Sequence, residues 1–495
     1  MNFWTPDEFA NVTQGRWLVA PARGAVPLTG LTIDSRAVPA GSCFLAIKGD
    51  RFDGHDFVAA AFEHGAALAV VQRDAAPGPT PASGSIPQSG AESRARPVLV
   101  VDDTLAALHA LARAWRGELR KQGVRVIAVG GSNGKTTTRH ILHHILSAQL
   151  AGTQSPKSFN NHIGVPLTLL SAAANHQFVV VEIGSNHPGE VAQLAALVAP
   201  DAAIVTSIGR EHLEFFKTVE GVAQEEFALL QYVAEDGLAV IPPASLCPAG
   251  VPTPKVKCNV RAFDDRDPAL PAVLPIPGIH NRRNAAAAAL IARWMGLSDD
   301  AIGVALADVQ PVEGRLQTLH FGSPPRRVTV IHDAYNANPD SMRAALDVLV
   351  QMPVGDSARR GKSGEYGESE PSGAQAHGLG RRVAVLGDMF ELGQAGPEEH
   401  RALGREAAQL GDAIGLLVFV GRLSMFAAEV AARLRPPEAV HVIPTADESL
   451  GPAVADLLGP GDVVLLKASR GMRLERIIPA VREKFTPRAA ADPPR

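Results

Sequence analysis

Cysteine is nearly missing: Cys43, Cys247 and Cys258 are the only three among 495 residues. No two of them form a Cys-x-x-Cys pair, so neither a disulfide framework nor a cysteine zinc site is encoded, and a reducing compartment is expected. Aromatic residues reach only 5%, and neither sign of charge dominates, the formal net charge being -4. A nucleic-acid or anionic-membrane partner would favour a basic excess, so neither is expected. Apolar runs stay short of the ~20 residues that span a bilayer. The opening Met1-Asn2-Phe3-Trp4-Thr5-Pro6-Asp7-Glu8 has no basic or apolar leader pattern. The expectation is a cytoplasmic protein without membrane insertion.

What is present is globular: 46% hydrophobic and 20% charged residues. The length is too great for one ordinary core and predicts about three domains. Two segments, 72–97 and 354–381, are rich in Pro, Gly, Ser, Ala and charge and cannot bury enough apolar area to offset chain entropy. They read as exposed loop insertions, and residues 486–495 as a disordered tail. Elsewhere, near-continuous apolar runs at 124–130, 178–184, 202–209, 328–335, 382–388, 416–421 and 463–469 read as strands covered on both faces of parallel sheets. Helical periodicity follows several of them, as in Ile141, Leu142, Ile145, Leu146 and Leu150. The predicted class is α/β: a small α/β domain at 1–102, a central P-loop ATPase-like domain with a parallel sheet at 103–317, and a Rossmann-like domain at 318–485.

The sharpest local signal is Val129-Gly130-Gly131-Ser132-Asn133-Gly134-Lys135-Thr136-Thr137, which follows a strand and opens a helix. Glycines bend such a loop so that backbone N–H groups face a phosphate, and the helix N-terminus adds partial positive charge. Gly131 through Thr137 are the expected nucleotide-binding residues, with Lys135 reaching the terminal phosphates and the Thr136 hydroxyl ligating Mg²⁺. The loop is one residue shorter than the strict G-x4-G-K-[ST] pattern, and a Gly-rich turn capping a helix is the plainer alternative.

Other residues admit two readings. Glu182, at the carboxyl end of a buried strand, is a metal ligand or a satisfied strand-end acid. His212, in Gly209-Arg210-Glu211-His212, is a metal ligand or a structural histidine. His140, His143 and His144 read as one face of a surface helix. Asn160 and Asn161 sit in a polar turn entering an apolar helix. Asn281, ahead of a helix expected at 285–295, reads an adenine edge or caps that helix. Arg315 lies at the junction of the second and third domains, where closure would bring it to a γ-phosphate. Asp333-Ala334-Tyr335-Asn336-Ala337-Asn338 ends a strand of the third domain and opens a helix. Lys467, Ser469 and Arg470 end the last strong strand, as surface charge or as a carboxylate-binding site.

In order along the chain, GSNGKTT, SFNNHIGVPLTLL, EIGSNHPGE, SIGREHLE, PGIHN, EGRLQ, DAYNANPDSM, LGDMFELG and LLKASRG resemble the Mur ligase family over nearly the whole sequence. YNANPDSM and LGDMFELG most resemble the branch that joins D-alanyl-D-alanine to UDP-N-acetylmuramoyl-tripeptide. The resemblance implies a monomeric ATP- and Mg²⁺-dependent peptide ligase working through an acyl phosphate. Lys135, His212, Glu226 and Arg315 would be catalytic. Asn281 would lie at the adenine, Asp333 near the ribose and Asn336 beside the nucleotide. Asp34, Ser35 and Arg36 would bind the uridine end, and Asn160, Asn161, Asn338, Lys467, Ser469 and Arg470 the remaining substrate. Many members carry a carbamylated lysine where this chain has Glu226, which implies that Glu226 supplies that negative charge directly. The alternatives are a sister ligase adding a diamino acid, for which no Asp-Asn-Pro-Arg motif is present, a folylpolyglutamate synthase, or a non-catalytic ATP switch.

Overall fold

The computed structural model describes residues 4–49, 51–75, 96–173, 175–251, 254–354 and 380–486. Most of both expected insertions and the tail beyond Thr486 lie outside the described residues. Three sheets define three α/β domains.

The first sheet holds β1 (Arg16–Val19), β2 (Leu31–Thr32), β3 (Cys43–Leu45), β4 (Leu68–Gln72) and β5 (Val98–Val101), in the order β1-β5-β4-β3-β2. Only the β1–β5 pair is antiparallel. The second holds β6 (Arg125–Gly130), β7 (Gly152–Gln154), β8 (Phe178–Glu182), β9 (Ala202–Val205), β10 (Leu238–Ile241) and β11 (Asn259–Ala262), in the order β11-β10-β9-β6-β8-β7. All its pairs are parallel. The third holds β12 (Gln317–Phe321), β13 (Val328–His332), β14 (Arg382–Gly387), β15 (Leu416–Val420), β16 (Val440–Ile443) and β17 (Val463–Lys467), in the order β12-β13-β17-β14-β15-β16. It is parallel except where β12 meets β13.

Strand β6 has β8 on one side and β9 on the other, so the chain winds both ways from it. Such a switch point leaves a crevice at the carboxyl ends of the strands, the usual place for a ligand in an open α/β sheet. Burial on both faces explains why β8, β9 and β10 contain little but apolar residues.

The helix Thr104–Lys121 buries Leu108, Leu111, Trp115 and Leu119 in a core that joins Phe9, Leu45 and Leu99 of the first domain to Val126 and Val179 of the second sheet. Its Arg116 is also buried, paired with Asp201 at 2.9 Å and bonded to Val198 O at 2.9 Å. Asp201 in turn accepts the Val126 N–H at 2.8 Å, which pins the start of β6. On the other face, helix Lys135–Ser147 packs on helix Ile279–Trp294, whose Ala285 to Ala289 are all buried.

That second helix starts six residues before the expected 285. Gly278, at φ +100, makes the turn into it, and His280, Asn281, Arg283 and Asn284 line the interdomain cavity. The histidines of helix Lys135–Ser147 are likewise more than a surface face. His140 Nε2 lies 2.9 Å from Gln310 O, His144 Nε2 lies 3.0 Å from Ala305 O, and His143 packs edge-on against Phe178.

Candidate active site

A cavity of about 1380 Å³ lies between the second and third domains. Its floor is the carboxyl edge of the central sheet. There the chain leaves β6 through Gly131, at φ +114, and turns into helix Lys135–Ser147 through Gly134, at φ +87. A side chain at Gly131 has no room, because a Cβ would fall 2.3 Å from Thr206 Oγ1.

The loop is held from two sides. The Gly131 N–H donates to Glu226 Oε2 at 2.5 Å, the Ser132 N–H to Ser207 O at 2.9 Å and the Asn133 N–H to Ser207 Oγ at 2.8 Å. Those three amides are therefore spent on shaping the loop. The donors left for a phosphate are the first N–H groups of the helix, Gly134 to Thr137, which lack intrahelical acceptors.

Thr136, Glu182 and Arg315, from three separate segments, meet at the foot of the loop. Thr136 Oγ1 donates to Glu182 Oε1 at 3.0 Å and accepts from Arg315 Nη2 at 2.8 Å. Arg315 stacks on Tyr335 with its guanidinium carbon 4.3 Å from the ring centroid, while its buried Nε has no partner among the described residues. Glu182 also accepts from Arg139 Nε at 3.1 Å and from Asn160 Nδ2 at 3.1 Å. Burial lowers the Arg139 guanidinium, and Glu182 only partly offsets that. Tyr335 shares a hydrogen bond with Ser158 across the cavity.

Lys135 bends over the loop, with Nζ 2.5 Å from Gly131 O and 3.6 Å from Glu211 Oε2. Burial alone would depress its ammonium, but Glu211, Glu226 and Glu182 outweigh that and raise it. Glu226 is buried beneath the loop and does not line the cavity. Burial holds its carboxyl well above the usual carboxylate range; the Lys135 ammonium opposes this and Glu211 adds to it.

His212 lines the cavity in a left-handed conformation, φ +47, with Nδ1 2.7 Å from Glu391 Oε2 of the third domain. Burial would lower its imidazole, but Glu391 and Glu211 raise it, and Glu391 is lowered by the same pairing. Among the described residues no three His, Cys, Asp or Glu side chains converge as a metal cluster. His212, Thr136 and Glu182 nevertheless line the same cavity. The hydroxyl and carboxylate of Thr136 and Glu182 fit Mg²⁺ of the kind that takes its remaining ligands from phosphates and water.

The other expected residues divide clearly. Asn281 lines the cavity from the first turn of its helix, donating to Pro277 O at 2.7 Å and accepting from Asn284 Nδ2 at 3.1 Å. Asp333 accepts from Lys467 Nζ at 2.6 Å and from the Leu316 N–H at 3.1 Å. The Lys467 ammonium is therefore spent inside the protein, donating also to Asn336 O at 3.2 Å. The Ser469 hydroxyl accepts the Phe390 N–H at 2.9 Å. Arg470 stays 61% exposed, paired with Glu475 at 3.2 Å and with its guanidinium carbon 5.7 Å from the Tyr335 ring centroid. Asn338 Nδ2 donates to Asn133 Oδ1 at 2.8 Å, linking the third domain directly to the loop. Asn161 caps the next helix, accepting the Gly164 N–H at 2.9 Å. Asp34, Ser35 and Arg36 lie in the first domain and do not line this cavity; Arg36 pairs with Asp34 at 2.7 Å.

Arg139, Ser158, Glu211 and Glu391 had no role assigned from the sequence. Arg139 could have been found, since it lies one helical turn after Thr136 and so on the same face. Glu391 could not, because only the tertiary fold brings it to His212.

A nucleotide-type phosphate loop on a doubly wound sheet, roofed by a second parallel-sheet domain, defines a class of multi-domain ligases. Models of the "Mur ligase family, catalytic domain", the "Mur ligase middle domain" and the "Mur ligase, glutamate ligase domain" match residues 27–116, 129–249 and 372–470. The chain is 32% identical over 496 residues to the UDP-N-acetylmuramoyl-tripeptide--D-alanyl-D-alanine ligase of Bacillus subtilis (strain 168), covering 96% of this chain and 97% of that protein. With the enzyme of the same name from Escherichia coli (strain K12) it shares 30% over 499 residues, at 93% and 95% coverage. The crystal structure of MurF from Acinetobacter baumannii superposes with a TM-score of 0.73 at 27% identity, over 97% of this chain and 99% of that one. The chain belongs to the Mur ligase family.

Proposed function

We propose that this ligase joins D-alanyl-D-alanine to UDP-N-acetylmuramoyl-tripeptide at the expense of ATP, producing the UDP-N-acetylmuramoyl-pentapeptide of peptidoglycan synthesis in the cytoplasm. The observation that carries the reading is the meeting of Thr136, Glu182 and Arg315 beside Lys135 at the foot of the loop. One chain supplies the loop, the acids and the roof of the cavity, which suits a monomer. No helix of the described residues is long and apolar enough to cross a membrane.

The chemistry follows from that charge arrangement. A carboxylate oxygen of the tripeptide attacks the γ-phosphorus of ATP; the new O–P bond forms as the bond to the β-phosphate oxygen breaks and ADP departs. The dipeptide amine then attacks the acyl carbon, the C–O bond to phosphate breaks, and the amine proton leaves with the phosphate. Negative charge gathers on the transferred phosphoryl oxygens, so catalysis is chiefly positioning and charge neutralisation. The first amides of helix Lys135–Ser147 and the Lys135 ammonium face the phosphates, and Arg315 Nε, without a hydrogen-bond partner among the described residues, is a ready donor to the transferred group. Thr136 and Glu182 would hold Mg²⁺, which when bound neutralises phosphate charge. Glu226 holds the loop from beneath by accepting the Gly131 N–H. Asn281 and Asn336 face the nucleotide, with Asp333 fixing the segment beside it, and Arg470 receives the dipeptide carboxylate. Asp34, Ser35 and Arg36 are left to hold the distant uridine end.

The test is phosphate release by the purified chain with MgATP. Release should require both UDP-N-acetylmuramoyl-tripeptide and D-alanyl-D-alanine, with a product mass equal to the joined pair. Steady ATP hydrolysis indifferent to D-alanyl-D-alanine would refute this and favour a nucleotide-driven switch.

A further inference from the structure

The phosphate loop leans on the segment that follows β9. Besides the two Ser207 bonds already described, Thr206 Oγ1 donates to Asn133 O at 2.6 Å and the Gly209 N–H to Ser132 Oγ at 2.9 Å. The very next residue leaves the domain. Arg210 donates through its backbone N–H to Asp340 Oδ2 at 2.8 Å and through Nη2 to Asp340 Oδ1 at 2.8 Å, while Nη1 reaches Glu399 Oε2 at 3.1 Å. Asp340 and Glu399 stand in the first turns of two helices of the third domain, Pro339–Gln351 and Gly396–Gln409. Arg343 braces this pair from behind, bonded to Asp340 at 3.2 Å and to Glu406 at 2.7 Å.

Nothing in this chain of contacts is slack. A Cβ at Gly209 would fall 2.7 Å from Asp340 Oδ2, so the backbone itself presses on the acid of the other domain. The Arg210 side chain is 28% exposed and its acids 36% and 16%, so solvent screens the pairing only in part. Burial would lower the guanidinium, but Asp340 and Glu399 raise it, which keeps the charge fixed. A planar guanidinium can meet two carboxylates at once, which an ammonium cannot do with the same geometry.

We propose that Arg210 is a positioning residue that ties the seating of the third domain to the shape of the phosphate loop. Asp340 and Glu399 hold Arg210, Arg210 fixes Gly209, and Gly209 fixes Ser132. The loop then reaches its reactive form only when the third domain is docked. The inference rests on the phosphate-loop reading of the site and adds the device that couples the two domains to it.

The test uses the full chain with Arg210→Ala, Arg210→Lys, Asp340→Asn and the Arg210→Ala/Asp340→Asn pair. Two readouts are taken: turnover by phosphate release with both substrates, and the Kd for ADP by equilibrium titration. Turnover by the parent checks the functional reading first, independently of the variants. Arg210→Ala should lower kcat about tenfold or more while the ADP Kd stays within about threefold, since misplaced groups cost rate more than binding. Arg210→Lys should recover only part of the loss. The double variant should be no slower than the worse single variant, as expected for partners in one linkage. An active parent with losses that multiply in the double variant would overturn the inference. So would an ADP Kd raised about tenfold with kcat intact, the mark of a direct phosphate contact. If Arg210→Ala fails to fold, Arg210→Lys and Asp340→Asn give the same comparison.

Discussion

Replacing Gly131 by alanine tests whether the loop's shape carries the chemistry. The added Cβ would lie 2.3 Å from Thr206 Oγ1, 2.6 Å from the Thr206 nitrogen and 2.9 Å from the Ser207 nitrogen. None of these atoms can swing away. Thr206 Oγ1 is bonded to Asn133 O at 2.6 Å, and the Thr206 N–H to Gly130 O at 3.0 Å. Opening the first contact to even 3.0 Å moves the loop by about 0.7 Å, and the φ of +114 adds about 1–2 kcal/mol of backbone strain for an L side chain. A displacement of about 1 Å at a reacting group costs about 100-fold in rate, near 2.7 kcal/mol in the barrier. Phosphate release by Gly131→Ala should therefore fall about 100-fold. Gly189→Ala is the control. Gly189 also has positive φ, +89, but nothing lies within 4 Å of its would-be Cβ, so only strain should appear and turnover should stay within about threefold. A folded Gly131→Ala enzyme within about threefold of the parent would refute the reasoning, because the loop would then tolerate the shift that the clash imposes.

Asp201→Ala should destabilise the protein by about 3–5 kcal/mol in urea unfolding, because it strands the buried Arg116 without its acid; a loss under about 1 kcal/mol would contradict this. Burial pushes the Glu226 carboxyl up to about 8, so it is largely protonated at pH 7, and Glu226→Gln keeps an acceptor for the Gly131 N–H; turnover should stay within about threefold, whereas Glu226→Ala, which strands that buried amide, should lower it about tenfold or more. A loss of about tenfold in the glutamine variant would show that a charge is needed there. Burial pushes His280 down to about 4, so in the fold it stays neutral while the unfolded chain binds a proton below about 6.5. Stability from this residue is present above pH 6.5 and is lost as pH falls from there towards about 4. Compared by urea unfolding at pH 7 and pH 5, the parent should lose about 1–2 kcal/mol more than His280→Gln, and equal losses would show that the histidine is not buried neutral.

The sheet architecture was legible because parallel strands covered on both faces must be apolar almost throughout, and seven such runs begin within one residue of an observed strand. Their ends were harder to read, and the errors fall on one side. The run 202–209 overshoots β9 by Thr206 to Gly209, and the run 328–335 overshoots β13 by Asp333 to Tyr335. Hydropathy cannot tell a residue in the ladder from one just past it, still packed against the sheet edge. Those overshooting residues are the ones that brace the phosphate loop, hold Lys467 and stack under Arg315. Residues whose chemistry is local, such as Lys135 and Thr136, declared themselves through a motif with its own strand and helix. Lys467 did not. Two cations ending a strand look the same whether free or paired, and only the neighbouring strand, β13, brings Asp333 against Lys467. Arg210 is the extreme case. In sequence it is one charge in a loop, and its two acids stand 130 and 189 residues further on. Contacts of that separation are set by how two finished domains dock, which no local pattern encodes, and in this protein that docking is where the site acquires its shape.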